Sequence, residues 1–257
     1  MEKGTLNSTT SKRFLPYYWE ELKKLLRPAG PLVVCAVYSF VLIFPRYHRK
    51  LFRLNLFERQ FRLPEKMAVD GLWFLLLPVV IILILRLISI AWPKIKETFP
   101  QHRFRDFGFR LGRGVGWRDV AIFFAIMLGF VLFAVFQKDF ARTYPLFELA
   151  RESLNVFLIW EAVHLLHMFG WEFLNRGFLL FGLEPKLGRW AILASAIPFA
   201  LLHIGKPELE AYGSFIAAIA LGWLALRSRS FLPCVFLHWA VAFTMDLLAI
   251  IRSGGFA

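Results

Sequence analysis

The chain has 257 residues, and its 31 Lys and Arg against 18 Asp and Glu give a net charge of +13. Hydrophobic residues make up 58% of it and charged residues only 19%, with 29 Phe and 9 Trp, which is too apolar for an ordinary soluble domain. The basic residues concentrate between long uncharged runs, where they can lie at anionic lipid headgroups. The charge therefore indicates membrane topology and not a nucleic-acid-binding surface.

The uncharged runs predict an all-α, polytopic membrane helix bundle, since a helix needs about 20 apolar residues to cross the hydrocarbon core. Seven crossings are expected, give or take one. Prolines surround the first predicted crossing and basic residues flank it. A re-entrant or interfacial segment is therefore the alternative for this stretch. The predicted spans are 28–45, 71–93, 119–137, 153–183, 190–204, 211–226 and 231–251.

Lys and Arg counts in the short loops set the expected orientation. The N-terminal segment, 94–118, 184–189 and 227–230 are basic, whereas 138–152 is balanced and 205–210 is net acidic. This pattern predicts a cytoplasmic N-terminus, although the basic loop 46–70 violates it. We divide the chain into a basic cytoplasmic segment (1–27), N-terminal membrane helices with basic surface loops (28–150) and a C-terminal helical core (151–257).

Four ionisable side chains fall at similar predicted depth in three of these spans. Counting along each helix from its cytoplasmic end places them about 12 to 21 Å from the inner boundary. A charge at mid-membrane is costly and normally faces a cavity with a partner, so we expect a polar cavity inside the bundle. Structural pairing of single residues, or a proton relay, are the alternatives. The four are Glu172, Arg176, His203 and His238.

These residues lie in "WEFLNRG" (171–177), "FALLH" (199–203) and "HWAVA" (238–242). The three stretches resemble the motifs E-E-x-x-x-R, F-x-x-x-H and H-x-x-x-N/D of the CAAX-protease and bacteriocin-processing (CPBP, or Abi) family of glutamic intramembrane endopeptidases. The resemblance covers about residues 153–250. It implies that Glu172 and His203 activate a water molecule, that His238 contacts the scissile carbonyl oxygen, and that Arg176 holds the carboxylate.

Two positions depart from the family pattern. Trp171 stands where the first glutamate of the pair is usual, so Glu172 must act from a position turned about 100° around the helix, or the local register must differ. Ala242 stands where an Asn or Asp is usual. One turn further on, Asp246 is expected to orient His203. Glu208, in the acidic loop after His203, could meet substrate, although a solvated loop is the plainer reading.

Metal ligation is the main chemical alternative, because "EAVHLLH" (161–167) adds Glu161, His164 and His167. Its E-x-x-H spacing also occurs in di-iron bundles. On a continuous helix, however, His164 and His167 lie about 25 to 30 Å from the inner end, away from the other four residues. No H-E-x-x-H motif occurs, so a metal-free mechanism without a cofactor is preferred to zinc catalysis.

The sequence thus predicts an intramembrane endopeptidase that cuts a membrane-associated protein or peptide. The predicted location is a bacterial inner membrane, whose anionic headgroups would contact the basic loops. An inactive family member that acts as an immunity or scaffold protein is the second hypothesis, and Trp171 and Ala242 favour it. A transporter or proton channel is the third, although neither inverted repeats nor broken helices are evident. The oligomeric state is open.

Overall fold

A computed structural model describes residues 30–93, 96, 103–112 and 117–256. Within these residues the fold is entirely helical and has no strand, which confirms the predicted all-α bundle. The basic segment 1–27 and much of the predicted loop 94–118 lie outside them. The α-helices are α1 Gly30–Tyr47, α2 Arg62–Ala91, α3 Trp117–Ala134, α4 Lys138–Thr143, α5 Leu154–Glu172, α6 Phe181–Leu187, α7 Ala191–Leu201, α8 Glu208–Ser228 and α9 Leu232–Arg252.

Among the described residues, five helical segments are long and apolar enough to cross a bilayer: Gly30–Tyr47, Arg59–Ala91, Leu154–Leu201, Glu208–Ser228 and Leu232–Arg252. The third of these contains two of the predicted crossings, because its α7 part packs back against residues 173–180. The predicted span 119–137 is α3, which is not among the five. The protein is an integral membrane protein with a polytopic helical bundle.

The N-terminal helices differ in extent from the prediction. The predicted first span is a helix of 18 residues. Pro31 lies in its first turn, where proline is tolerated, and Pro45 lies in its last turn. The predicted loop 46–70 is shorter than expected, because α2 begins at Arg62 and has 30 residues. Pro64 lies in the first turn of α2, where no intrahelical hydrogen bond from its nitrogen is needed.

A π-helix of eight residues, Phe173–Leu180, continues α5 without a break. All eight residues are buried. Gly177 lies within it, and a Cβ atom there would come 3.1 Å from the carbonyl oxygen of Phe107. The π geometry thus brings the backbone close to its neighbours in the stretch that carries Arg176. π-helical turns are rare and often occur at functional sites.

Helices α2 and α5 cross in close contact at two glycines. A Cβ atom on Gly71 would lie 2.7 Å from the Cα atom of His167, and a Cβ atom on Gly170 would collide with the carbonyl group of Gly71. Glycine at a helix crossing lets two backbones approach closely in a membrane. The crossing also shows that α5 runs straight through Gly170, so no break there folds His164 and His167 back.

Helices α5 and α9 form an antiparallel pair in the middle of the bundle. Near the end of α5, Glu172 contacts His238, close to the start of α9. Near the start of α5, the indole nitrogen of Trp160 donates to Asp246, close to the end of α9. This pairing carries polar side chains into the interior at two levels.

Candidate active site

Glu172 is fully buried and lies at the junction of α5 and the π-helix. Its Oε1 accepts a hydrogen bond from Nη1 of Arg176 at 3.2 Å and lies 2.6 Å from Nδ1 of His238. Its Oε2 has no hydrogen-bond partner among the described residues. One carboxylate oxygen is therefore held by two groups, whereas the other is buried with its acceptor sites unused by the described residues.

Phe199 of α7 lies at the centre of the polar residues. The guanidinium carbon of Arg176 is 3.9 Å from the centroid of its ring, a cation–π contact. The ring centroids of His203 and His238 lie 4.6 and 5.9 Å from that of Phe199. A single aromatic ring thus spaces the two imidazoles and supports the arginine.

His203 lies in the turn that follows α7 and is partly exposed. Its Nδ1 is 2.8 Å from the carbonyl oxygen of Phe199. A carbonyl oxygen can only accept, so Nδ1 carries the hydrogen, and Nε2 of the neutral ring is left as an acceptor. The carbonyl oxygen of Phe199 in α7 therefore orients the His203 ring, and Nε2 of this imidazole can take a proton from a neighbouring group.

Asn175 ties the π-helix to two neighbours. Its Oδ1 accepts from the hydroxyl of Tyr38 at 2.9 Å, and its Nδ2 donates to the carbonyl oxygen of Trp171 at 2.8 Å. The Trp171 ring packs against Phe74 and against Phe199, with centroid distances of 5.6 and 5.9 Å. Sequence reasoning assigned no role to Tyr38, Asn175 or Phe199, although Phe199 is the first residue of the F-x-x-x-H stretch.

The structure brings Glu172, Arg176 and His238 into direct contact and sets His203 beside them, across Phe199. A carboxylate with one free oxygen, an imidazole with a free acceptor nitrogen and a buried guanidinium are groups that can move a proton and stabilise negative charge. The arrangement has the components needed to hydrolyse an amide or ester.

Residues 153–244 match the family model of the type II CAAX prenyl endopeptidases, Rce1-like. This segment contains Glu172, Arg176, His203 and His238 together with the helices that hold them. The match supports the resemblance of this segment to the CPBP/Abi family. The family is one of proteases. The comparison with curated proteins gives no significant match, and neither does the comparison with solved structures.

The structure shows how the first of the two departures from the CPBP pattern is accommodated. Trp171 occupies the position of the first glutamate, and its ring packs on Phe199, whereas Glu172 reaches His238. The carboxylate thus meets the α9 histidine from the second position of the pair. Ala242, one turn after His238, is partly buried.

Asp246 does not lie where the sequence predicted it. Its Oδ2 accepts from the indole nitrogen of Trp160 at 2.7 Å, and its Oδ1 accepts from the backbone nitrogen of Leu146 at 3.2 Å. It lies two turns beyond His238 on α9 and faces Glu161 and His164 of α5. The expectation that it orients His203 is therefore wrong, because its hydrogen bonds are made at the other level of the α5–α9 pair.

Glu208 is exposed at the start of α8, and its backbone nitrogen donates to Asp139 at 3.1 Å. The more buried acidic residue of this loop is Glu210, which accepts from the hydroxyl of Tyr144 and pairs with Lys206 at 3.6 Å. Burial and the neighbouring Glu210 carboxylate raise the pKa of Tyr144 well above its usual range, so the phenol stays protonated. The structure gives Glu208 no contact with the polar residues around Phe199.

The residues of "EAVHLLH" separate into two environments. Glu161 and His164 face Asp246. His167 lies on another side of α5, where its Nδ1 is 3.0 Å from the carbonyl oxygen of Met67 in α2. None of these contacts involves Glu172 or His238, as the predicted depths indicated.

Proposed function

We propose that this protein is an intramembrane endopeptidase that hydrolyses a peptide bond of a membrane-associated protein or peptide with water activated by Glu172 and His203. The observation that carries the proposal is the asymmetric carboxylate of Glu172. Its Oε1 is held by Arg176 and His238, and its Oε2 is buried without a partner. The family-model match over residues 153–244 supports the peptidase class.

The proposed reaction begins with water between Oε2 of Glu172 and Nε2 of His203. Glu172 takes a proton from the water as its oxygen attacks the carbonyl carbon of the scissile bond. The carbonyl oxygen becomes an oxyanion and accepts a hydrogen bond from Nε2 of His238. The C–N bond then breaks as the amine nitrogen receives the proton from Glu172, which yields a carboxylic acid and an amine.

The surrounding residues prepare these groups before the substrate binds. Nδ1 of His238 lies against the Glu172 carboxylate, so it donates there, and Nε2 points away from that contact. To donate to the oxyanion, Nε2 must also carry a hydrogen. His238 is then an imidazolium cation beside the Glu172 carboxylate. Arg176 pairs with the same carboxylate oxygen, Oε1, at 3.2 Å and restricts the rotation of the Glu172 side chain. No step requires a metal or a cofactor.

The test compares cells that express wild-type protein, Glu172→Gln, His203→Ala or Arg176→Ala, and follows protein termini in the membrane and secreted proteome. We expect defined termini with wild type. Their formation should fall by about 10²- to 10⁴-fold in Glu172→Gln and His203→Ala, the usual contribution of a general acid–base group, and should also fall in Arg176→Ala, which loses the group that holds the carboxylate. Glu152→Gln is the control, because this glutamate is exposed and lies outside the matched segment.

Accumulation of each variant in the membrane is measured in the same cells, so that misfolding is separated from lost chemistry. Unchanged termini with Glu172→Gln contradict the proposal. Trp171 and Ala242, which depart from the family pattern, support a second candidate function, that of an inactive immunity or scaffold protein. A deletion phenotype that Glu172→Gln rescues, without wild-type-specific termini, favours this second function.

We further propose that the protein lies in a bacterial inner membrane with its N-terminus in the cytoplasm. The basic residues in the α6–α7 turn and the α8–α9 turn support this orientation. Anionic headgroups on the cytoplasmic leaflet attract such residues.

A further inference from the structure

A second polar cluster lies between α5 and α9, separate from the residues of the proposed reaction. It consists of Glu161, His164 and Asp246, which are all at least nine-tenths buried. One ligand atom from each, a carboxylate oxygen or an imidazole nitrogen, lies within 4.8 Å of the other two. The proposed hydrolysis uses none of the three.

The cluster follows from the regular spacing of an antiparallel helix pair. His164 precedes Glu172 by eight residues on α5, and Asp246 follows His238 by eight residues on α9. Eight residues of α-helix rise about 12 Å. The two helices therefore meet through polar side chains at two levels about 12 Å apart. The i, i+3 spacing of Glu161 and His164 puts both on the same face of α5.

Glu161 has no hydrogen-bond partner for its side chain, although it is buried. Neither Oε1 nor Oε2 accepts a hydrogen bond within the described part of the chain. Nδ1 of His164 is also without a hydrogen-bond partner, and it lies 3.8 Å from Oε2 of Glu161. Unpaired buried carboxylates are costly, and metal coordination is one of the ways in which proteins offset the cost.

Asp246 is oriented as a metal ligand usually is. Trp160 donates to its Oδ2 and Leu146 to its Oδ1. Each carboxylate oxygen has two lone pairs, so both oxygens retain one for an ion. Hydrogen bonds from outside the ligand set commonly fix the ligands of metal sites in this way. Asp246 is thus held in place while Glu161 and His164 face it with open acceptor atoms.

We propose that Glu161, His164 and Asp246 form a binding site for a divalent transition-metal ion of the zinc type, distinct from the hydrolytic residues. Two carboxylate oxygens and one imidazole nitrogen are ligands that such ions accept. Bonds of about 2.0–2.2 Å to a shared ion place ligand atoms about 3.3 Å apart. The ligand atoms of the present cluster lie within 4.8 Å of one another, so binding a shared ion requires them to approach by up to about 1.5 Å. A bound ion would connect α5 to α9 next to the loop that contains Leu146.

The first test measures metal in protein purified in detergent from cells supplied with Zn²⁺. We expect close to one zinc ion per chain in wild type and in the double variant Glu172→Gln/His203→Ala. We expect less than a tenth of that in Asp246→Asn and in His164→Leu. Zinc that is lost from the double variant and kept in Asp246→Asn overturns the assignment, since it places the ion at the hydrolytic residues. Manganese and iron are measured in the same samples.

The second test uses Glu161→Gln, which keeps the side-chain shape and removes the charge. Zinc should raise the thermal midpoint of wild type and leave that of Glu161→Gln unchanged. In chelator, Glu161→Gln should melt at or above wild type, because the metal-free wild type retains an uncompensated buried carboxylate. Absence of zinc, manganese and iron from wild type, with no shift on chelation, overturns the site. These outcomes do not depend on protease activity.

Discussion

At the scale of single residues, Phe199 explains how side chains from three segments keep a common geometry. Arg176 comes from the π-helix, His203 from the turn after α7 and His238 from α9, and each contacts the Phe199 ring. Hydrogen bonds connect only some of these groups. In the proposed reaction, Phe199 is therefore a positioning residue, since its ring sets the spacing of the two imidazoles without a chemical role of its own.

Replacement of Phe199 by Leu should slow the formation of wild-type-specific termini by about 10- to 100-fold, because misplacement of catalytic groups by about 1 Å has costs of this size. Leucine keeps an apolar side chain in place and removes the face that supports Arg176. Accumulation in the membrane should stay near the wild-type level. Phe215→Leu, at a more exposed position on α8, is the matched control. Equal activity of the two variants would argue against the positioning role.

At the scale of elements, the α2–α5 crossing and the π-helix are where the packing tolerates least change. Gly71 and Gly170 face each other across the crossing, and no larger side chain fits between the two backbones. This crossing is next to Trp171 and Glu172, so its geometry sets the position of the buried carboxylate.

Gly170→Ala should lower the thermal midpoint in detergent, with a cost of about 1–3 kcal/mol or more, because the added methyl group meets backbone and not a movable side chain. Gly213→Ala is the matched control in α8, where a Cβ atom meets nothing within 4 Å. There, alanine should be neutral or stabilising by up to about 1 kcal/mol, since it favours helix. An unchanged midpoint for Gly170→Ala would show that the two helices can separate without cost.

Spacing within a helix could be predicted from the sequence, whereas registration between helices could not. Counting from loop ends placed Glu172 at about 18 Å and His238 at about 12 Å, yet the two are in contact. The same counting gives about 30 Å for His164 and about 24 Å for Asp246, which face each other. The error is about 6 Å in both cases, because the counting assigns the same depth to the ends of the loops 184–189 and 227–230.

That constant error misdirected the prediction for Asp246. Counting from the loop ends predicts a depth for Asp246 close to that of His203. The spacing within each helix predicts instead that Asp246 meets His164, because Glu172 and His164 are eight residues apart on α5, as His238 and Asp246 are on α9. The π-helix had no comparable signal, since "FLNRGFLL" reads as an ordinary apolar helix. The helical bundle and the meeting of Glu172, Arg176 and His238 followed from composition, spacing and motif resemblance.

At the scale of the whole molecule, the helical run from Leu154 to Leu187 sets the two ends of the bundle. It contains α5, the π-helix and α6, and it joins the loop around Glu148 to the turn around Arg189. Its length exceeds that of the hydrocarbon core, so the two connections lie on opposite sides of the membrane. The proposed orientation makes the Arg189 side cytoplasmic.

Cysteine labelling in intact cells checks this orientation. In a Cys35→Ala background, Arg189→Cys should react with a membrane-impermeant maleimide only after the cells are opened, whereas Glu148→Cys should react from outside. Both positions are exposed, and the remaining Cys234 is buried. The reverse pattern would refute a cytoplasmic N-terminus, and reaction of both residues from outside would refute the opposite placement of the two connections.

The short helix α7 has a consequence for the lipid around it. Its 11 residues rise about 16 Å, roughly half of the hydrocarbon thickness. Ile197, Leu201 and Ile204 expose apolar side chains along this helix and the turn after it. Such a hydrophobic mismatch is accommodated by local thinning of the bilayer. Thinned lipid would bring interfacial water close to His203, so we expect the proposed reaction to depend on the acyl-chain length of the surrounding lipid.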